Sequence, residues 1–75
     1  MPRLPVLKPK QVLRALKSAG FYVHHQRGSH ARLFSRTRPE LHVTIPMYNK
    51  DLPEKTLRAI LRQAELSVEE FIELL

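Results

Sequence analysis

Arg27-Gly28-Ser29-His30, with Arg32 two residues further on, sets a histidine beside a tight bend. An imidazole takes and gives protons near neutral pH. Gly28 allows the backbone to bend sharply or to approach a phosphate, and Ser29 offers a hydroxyl and a backbone N–H. The surrounding charge narrows the choice of substrate. Residues 1–39 hold nine basic side chains (Arg3, Lys8, Lys10, Arg14, Lys17, Arg27, Arg32, Arg36 and Arg38) and no Asp or Glu, whereas the remainder holds four basic and seven acidic ones. A proton-transferring histidine in a wholly basic half-chain suits a phosphodiester. His30 is the candidate catalytic residue. Arg27, Gly28, Ser29, Arg32, Lys8 and Lys10 are candidate contacts to a nucleic-acid backbone.

Other chemistries fit poorly. Ser29 and His30 are adjacent, so in a strand they face opposite ways, and no GxSxG elbow is present. The chain has no Cys, and His24, His25, His30 and His42 show neither HxH nor HExxH spacing. No metal site or cofactor is therefore expected. His24, His25 and His42 read as polar strand residues. The 75 residues make one domain, 1–75. No apolar run approaches the ~20 residues of a membrane span, and no signal-peptide stretch opens the chain, so a soluble, cytoplasmic protein is expected.

The elements that must position His30 follow from hydrophobic period. Residues 1–7 carry two prolines and read as an extended arm. Lys8-Pro9 opens a helix whose buried stripe is Val12, Leu13, Leu16 and Ala19, and Gly20 ends it. Phe21 to Gln26 is a strand, Arg27-Gly28-Ser29 a turn, and His30 to Ser35 the returning strand. Leu41 to Ile45 is a third strand, ended by Pro46. Asp51 with Glu54 matches a capping box opening a second helix, with Leu57, Ile60, Leu61 and Ala64 inward. Ser67 with Glu70 opens a short last one.

A three-residue turn sets His30 opposite Gln26, Arg32 opposite His24 and Phe34 opposite Tyr22. Phe21, Val23, Ala31 and Leu33 then share the core face. A two-residue turn slips this register and swaps faces on one strand. The first choice keeps Val23 and Leu33 together inside but leaves Phe34 partly exposed. It gives an open face of Tyr22, His24, Gln26, His30, Arg32, His42 and Thr44. The fold class is α+β, ordered α-β-β-β-α, with a three-stranded antiparallel sheet packed on two helices and a short C-terminal helix.

From Val12 to Leu75 the chain resembles the HicA toxin family, the small mRNA interferases of toxin–antitoxin pairs. The likeness rests on Leu16-Lys17-Ser18-Ala19-Gly20-Phe21, Arg27-Gly28-Ser29-His30, Val43-Thr44-Ile45-Pro46 and Thr56-Leu57-Arg58-Ala59-Ile60-Leu61-Arg62-Gln63-Ala64, and extends to Leu66-Ser67-Val68-Glu69-Glu70-Phe71. It implies a fold like that of double-stranded-RNA-binding domains, metal-independent cleavage of mRNA, and silencing by a HicB antitoxin that covers the active surface. It also places the family's catalytic histidine on His30. Tyr48 stands where the family commonly has a histidine, and Lys55 where glycine is common.

Cleavage would use the 2′-hydroxyl of RNA as internal nucleophile, which predicts RNA over DNA. His30 serves as general base or acid, with Arg27 and Arg32 stabilising the phosphorane. The group that protonates the leaving 5′-oxygen stays open among His24, Tyr48, a lysine and water. The alternatives are a non-catalytic RNA-binding module using the same surface, a weakened toxin acting mainly as the partner of an antitoxin, and an interaction protein whose basic face serves an acidic partner.

Overall fold

A computed structural model describes residues 3–75. Along the chain run α1 (Pro9–Ser18), β1 (Phe21–Arg27), β2 (His30–Ser35), β3 (His42–Pro46), α2 (Glu54–Ala64) and α3 (Val68–Glu73). The three strands form one antiparallel sheet in the order β1-β2-β3. This is the α-β-β-β-α arrangement with a short C-terminal helix that the hydrophobic period predicts.

The first and last helices each begin for a local reason. Pro9 fills the first turn of α1, where its missing N–H is no loss. The Lys8 N–H donates to Gln11 Oε1 at 2.9 Å, closing that end. After the helix, Gly20 turns the chain into β1 with φ +95°, a conformation L side chains rarely adopt. α3 carries the capping box expected of Ser67 and Glu70: the Glu70 N–H donates to Ser67 Oγ at 3.0 Å, and the Ser67 N–H to Glu70 Oε1 at 2.8 Å.

The Asp51–Glu54 capping box does not form. Pro53 is the N-cap of α2, with no side-chain cap hydrogen bond. Proline disfavours helical backbone in the residue before it, and Leu52 is buried with its N–H donating to the Leu7 carbonyl at 2.8 Å. Helix therefore begins only at Glu54, and Asp51 faces Lys8 Nζ at 3.5 Å instead. Leu7 is itself buried and Leu4 packs against the core, so the N-terminal segment lies on the domain. Met1 and Pro2, the start of the expected arm, lie outside the described residues.

One face of the sheet and the two main helices enclose the core. Leu33 from the central strand, Val43 and Ile45 from β3, Val12 and Leu16 from α1, and Phe71 from α3 are all at zero exposure. The third strand is shifted by one residue from the expected span: Leu41 precedes it, buried, and Pro46 is its last residue, paired with His30. Among the described residues no helix covers the opposite sheet face.

Leu33→Ala is expected to remove about 2–5 kcal/mol of unfolding free energy, read as a lower urea midpoint, because the surrounding strands and helices cannot collapse into the space. A second expectation concerns acid. Glu70's carboxyl is held below its ordinary range, chiefly by the Ser67 backbone N–H and then by the Ser67 hydroxyl. A carboxyl lowered by folding adds stability above its unfolded value, and loses it as pH falls through the folded value. Glu70→Gln should therefore flatten the stability–pH curve below about the ordinary value of 4.5 and leave its shape near neutrality unchanged.

Candidate functional site

The hairpin that carries His30 turns on two residues, not three. β1 runs to Arg27 and β2 starts at His30, leaving Gly28 and Ser29 as the turn. Gly28 has φ +58°, at the first turn position, where the primed hairpin turns take positive φ. The Ser29 carbonyl accepts a hydrogen bond from the Met47 N–H, which ties the turn to the segment after β3.

A two-residue turn alone would put Phe21 and Val23 on the solvent side. A β-bulge prevents it. The register runs Arg27↔His30, Gln26↔Ala31 and His25↔Arg32, then slips by one residue to Val23↔Leu33, Tyr22↔Phe34 and Phe21↔Ser35. His24 is the extra residue. The expected pairs Tyr22–Phe34 and Val23–Leu33 form, whereas His30 faces Arg27 rather than Gln26, and Arg32 faces His25 rather than His24. Gln26 leaves the open face, being paired with buried Ala31, and His25 takes its place. An extra residue in one strand re-aims the side chains beside it, and here it brings a second histidine to the site.

The outcome is a cleft of about 380 Å³ on the helix-free face, lined by His25, Arg27, His30, Arg32 and Thr44. All but Thr44 are exposed. Among the described residues the ion pairs are Lys8–Asp51, Arg38–Glu40, Arg38–Glu65 and Arg58–Glu54. Neither Arg27 nor Arg32 has a carboxylate in reach among them, so two guanidinium groups meet solvent beside two imidazoles. Such a surface attracts an anion and can move a proton onto or off it. Among the described residues no three His, Asp or Glu side chains are grouped to hold a metal ion. No helix of the described residues is long and apolar enough to cross a membrane.

The other two histidines are engaged elsewhere on the same face. Phe34, on the central strand, stacks against His24 from β1 at 4.1 Å between ring centroids and against His42 from β3 at 4.5 Å. Tyr22 meets Phe34 edge-on at 6.4 Å, and the Arg36 guanidinium lies 4.8 Å from the Tyr22 ring centre. The half-exposed Phe34 thus has both ring faces covered by imidazoles. Lys8 and Lys10 are not in the cleft. They line a separate hollow of about 270 Å³ with Pro9, Met47, Tyr48 and Asn49. The structure therefore brings Arg27, His30 and Arg32 together at the Gly28-Ser29 turn and places Lys8 and Lys10 apart.

Sequence reasoning missed His25. The signal was present in the demand that Val23 and Leu33 stay together and in a Gly-Ser pair typical of two-residue turns. Only an extra residue in the first strand satisfies both, and the doubled histidine is where it falls.

A family model described as the HicA toxin of bacterial toxin–antitoxin systems matches residues 9–66. No curated protein matches the chain.

The stacked rings give a test of the face assignment. Ring protons of His24 and His42 should be shifted upfield by the Phe34 ring current in NMR spectra. Phe34→Leu should abolish those shifts and leave the His25 and His30 resonances near their original positions.

Proposed function

The chain belongs to the HicA toxin family, and from that premise we propose that it is the toxin of a toxin–antitoxin pair, acting as an endoribonuclease on mRNA. The observation that carries the reading is the cleft that groups His30 with Arg27 and Arg32, with no carboxylate among the described residues that line it. In it, His30 Nδ1 or Nε2 accepts the proton of a ribose 2′-hydroxyl, and the freed oxygen attacks the adjacent phosphorus. Arg27 and Arg32 neutralise the charge that builds on the non-bridging oxygens. Gly28 and Ser29 let the backbone of the turn come close to the strand being cut.

The nucleophile belongs to the substrate, so the reaction calls for no metal or other cofactor, and DNA is not cut. Lys8 and Lys10, in the hollow lined also by Met47, Tyr48 and Asn49, extend the basic surface and hold phosphates away from the scissile one. The protein partner is a HicB-like antitoxin that covers the cleft, and the setting is the cytoplasm. A non-catalytic RNA-binding module would use the same cations and leave His30 without a role.

Expression of the chain should arrest growth, and His30→Ala should relieve the arrest. With purified protein, His30→Ala should slow RNA cleavage by about 10²–10⁴-fold while RNA binding changes little. If wild type and variant leave RNA equally intact and bind it equally, the nuclease reading fails and the binding module stands.

A further inference from the structure

RNA cleavage through a 2′-hydroxyl needs two proton transfers, one from the attacking oxygen and one to the departing 5′-oxygen. Resting on the ribonuclease reading above, we infer that His25 makes the second transfer: it is the general acid that completes the pair with His30. The sequence leaves that role open, and the bulge at His24 fills it.

The cleft offers few groups able to give up a proton at neutral pH. Of its five lining side chains, Arg27 and Arg32 are permanently charged and Thr44 carries a weakly acidic hydroxyl. His25 and His30 remain. The rival donors do not line the cleft. His24 has its ring against Phe34, Tyr48 lines the separate hollow, and Lys8 faces Asp51.

The spacing suits the chemistry. His25 is opposite Arg32 and Arg27 is opposite His30, so the two histidines are diagonal neighbours on adjacent strands. Diagonal positions in an antiparallel pair lie about 7–8 Å apart at the backbone. Acid and base each need about 2.6–3.2 Å to the oxygen they serve, which leaves room for one phosphoryl group between the rings. The two arginines occupy the other diagonal of the same square and flank the non-bridging oxygens.

The step balances without a co-reactant. His30 takes the 2′-hydroxyl proton as the O2′–P bond forms, and the P–O5′ bond breaks as O5′ takes a proton from protonated His25. The products are a 2′,3′-cyclic phosphate end and a 5′-hydroxyl end. Exchange with water resets both imidazoles.

A change of leaving group tests the assignment. Cleavage sites of the wild-type protein are first mapped on a long RNA. Short RNAs spanning one site are then made with either the natural 5′-oxygen or a 5′-sulfur at the scissile linkage. A thiolate departs without protonation, so loss of the general acid is bypassed on the sulfur substrate, and loss of the base is not. His25→Ala and His25→Gln should be slowed about 10²–10⁴-fold on the oxygen substrate and return to within about tenfold of wild type on the sulfur one. His30→Ala should remain slow on both. Binding of an uncleavable RNA, 2′-deoxy at the scissile nucleotide, should be alike for all these proteins, and thermal unfolding should show the variants folded. Three results would overturn the role of His25: full activity of its variants on the oxygen substrate, equal slowing on both substrates, or rescue of His30→Ala in their place. A wild-type protein that cuts no RNA overturns the ribonuclease reading itself, and the acid–base pair with it.

Discussion

Side chains alternate along a β-strand, so one added residue reverses the side that every later position faces. β1 depends on that reversal. Before His24 it must present Phe21 and Val23 to the core, and after it His25 and Arg27 to the open face. No unbroken strand joined to β2 by a two-residue turn does both. The bulge lets one strand serve packing in its first half and the cleft in its second, and the remainder of the site follows from it. Arg32 finds His25 across from it, His30 finds Arg27, and His24, displaced from the ladder, comes to lie against Phe34.

The charge distribution is arranged around the same face. All seven acidic residues fall at Glu40 or later, in the connections and on the last two helices. Glu40 and Glu65 both reach Arg38, and Glu54 reaches Arg58, each along exposed side chains where an ion pair adds little stability. None of these carboxylates lines the cleft. The cations of β1 and β2 consequently act together on an approaching polyanion, with no carboxylate among the described residues to compete for them.

Much of this was legible in the residues, because hydrophobic period and turn chemistry act locally. Val12 and Leu16, Leu57 and Ile60, and the Ser67–Glu70 pair mark their helices without help from the fold. Three features were not legible, each because a longer-range contact decided it. Asp51 and Glu54 have the spacing of a cap, but Leu52 is drawn into a hydrogen bond with Leu7 and Pro53 delays the helix. The register of the first hairpin required weighing core packing against turn length, and a strict period of two cannot express a solution that contains both. Phe34 looked like a misplaced hydrophobe because its cover comes from imidazoles on two other strands.

The hydrogen bond from the Thr44 N–H to Gln63 Oε1, 3.0 Å long, bears on how the sheet ends. A sheet of this kind ends in two rows of backbone groups, and unpaired rows invite another chain to add a strand. β3 loses that invitation because a side chain of α2 occupies an outward-facing donor in mid-strand. β1 loses it by a different route. Its ladder is broken at His24, and its exposed end carries the cationic Arg27. The feature that assembles the cleft thus also spoils the remaining edge as a template, so a single kink shapes the site and interrupts the edge of the sheet.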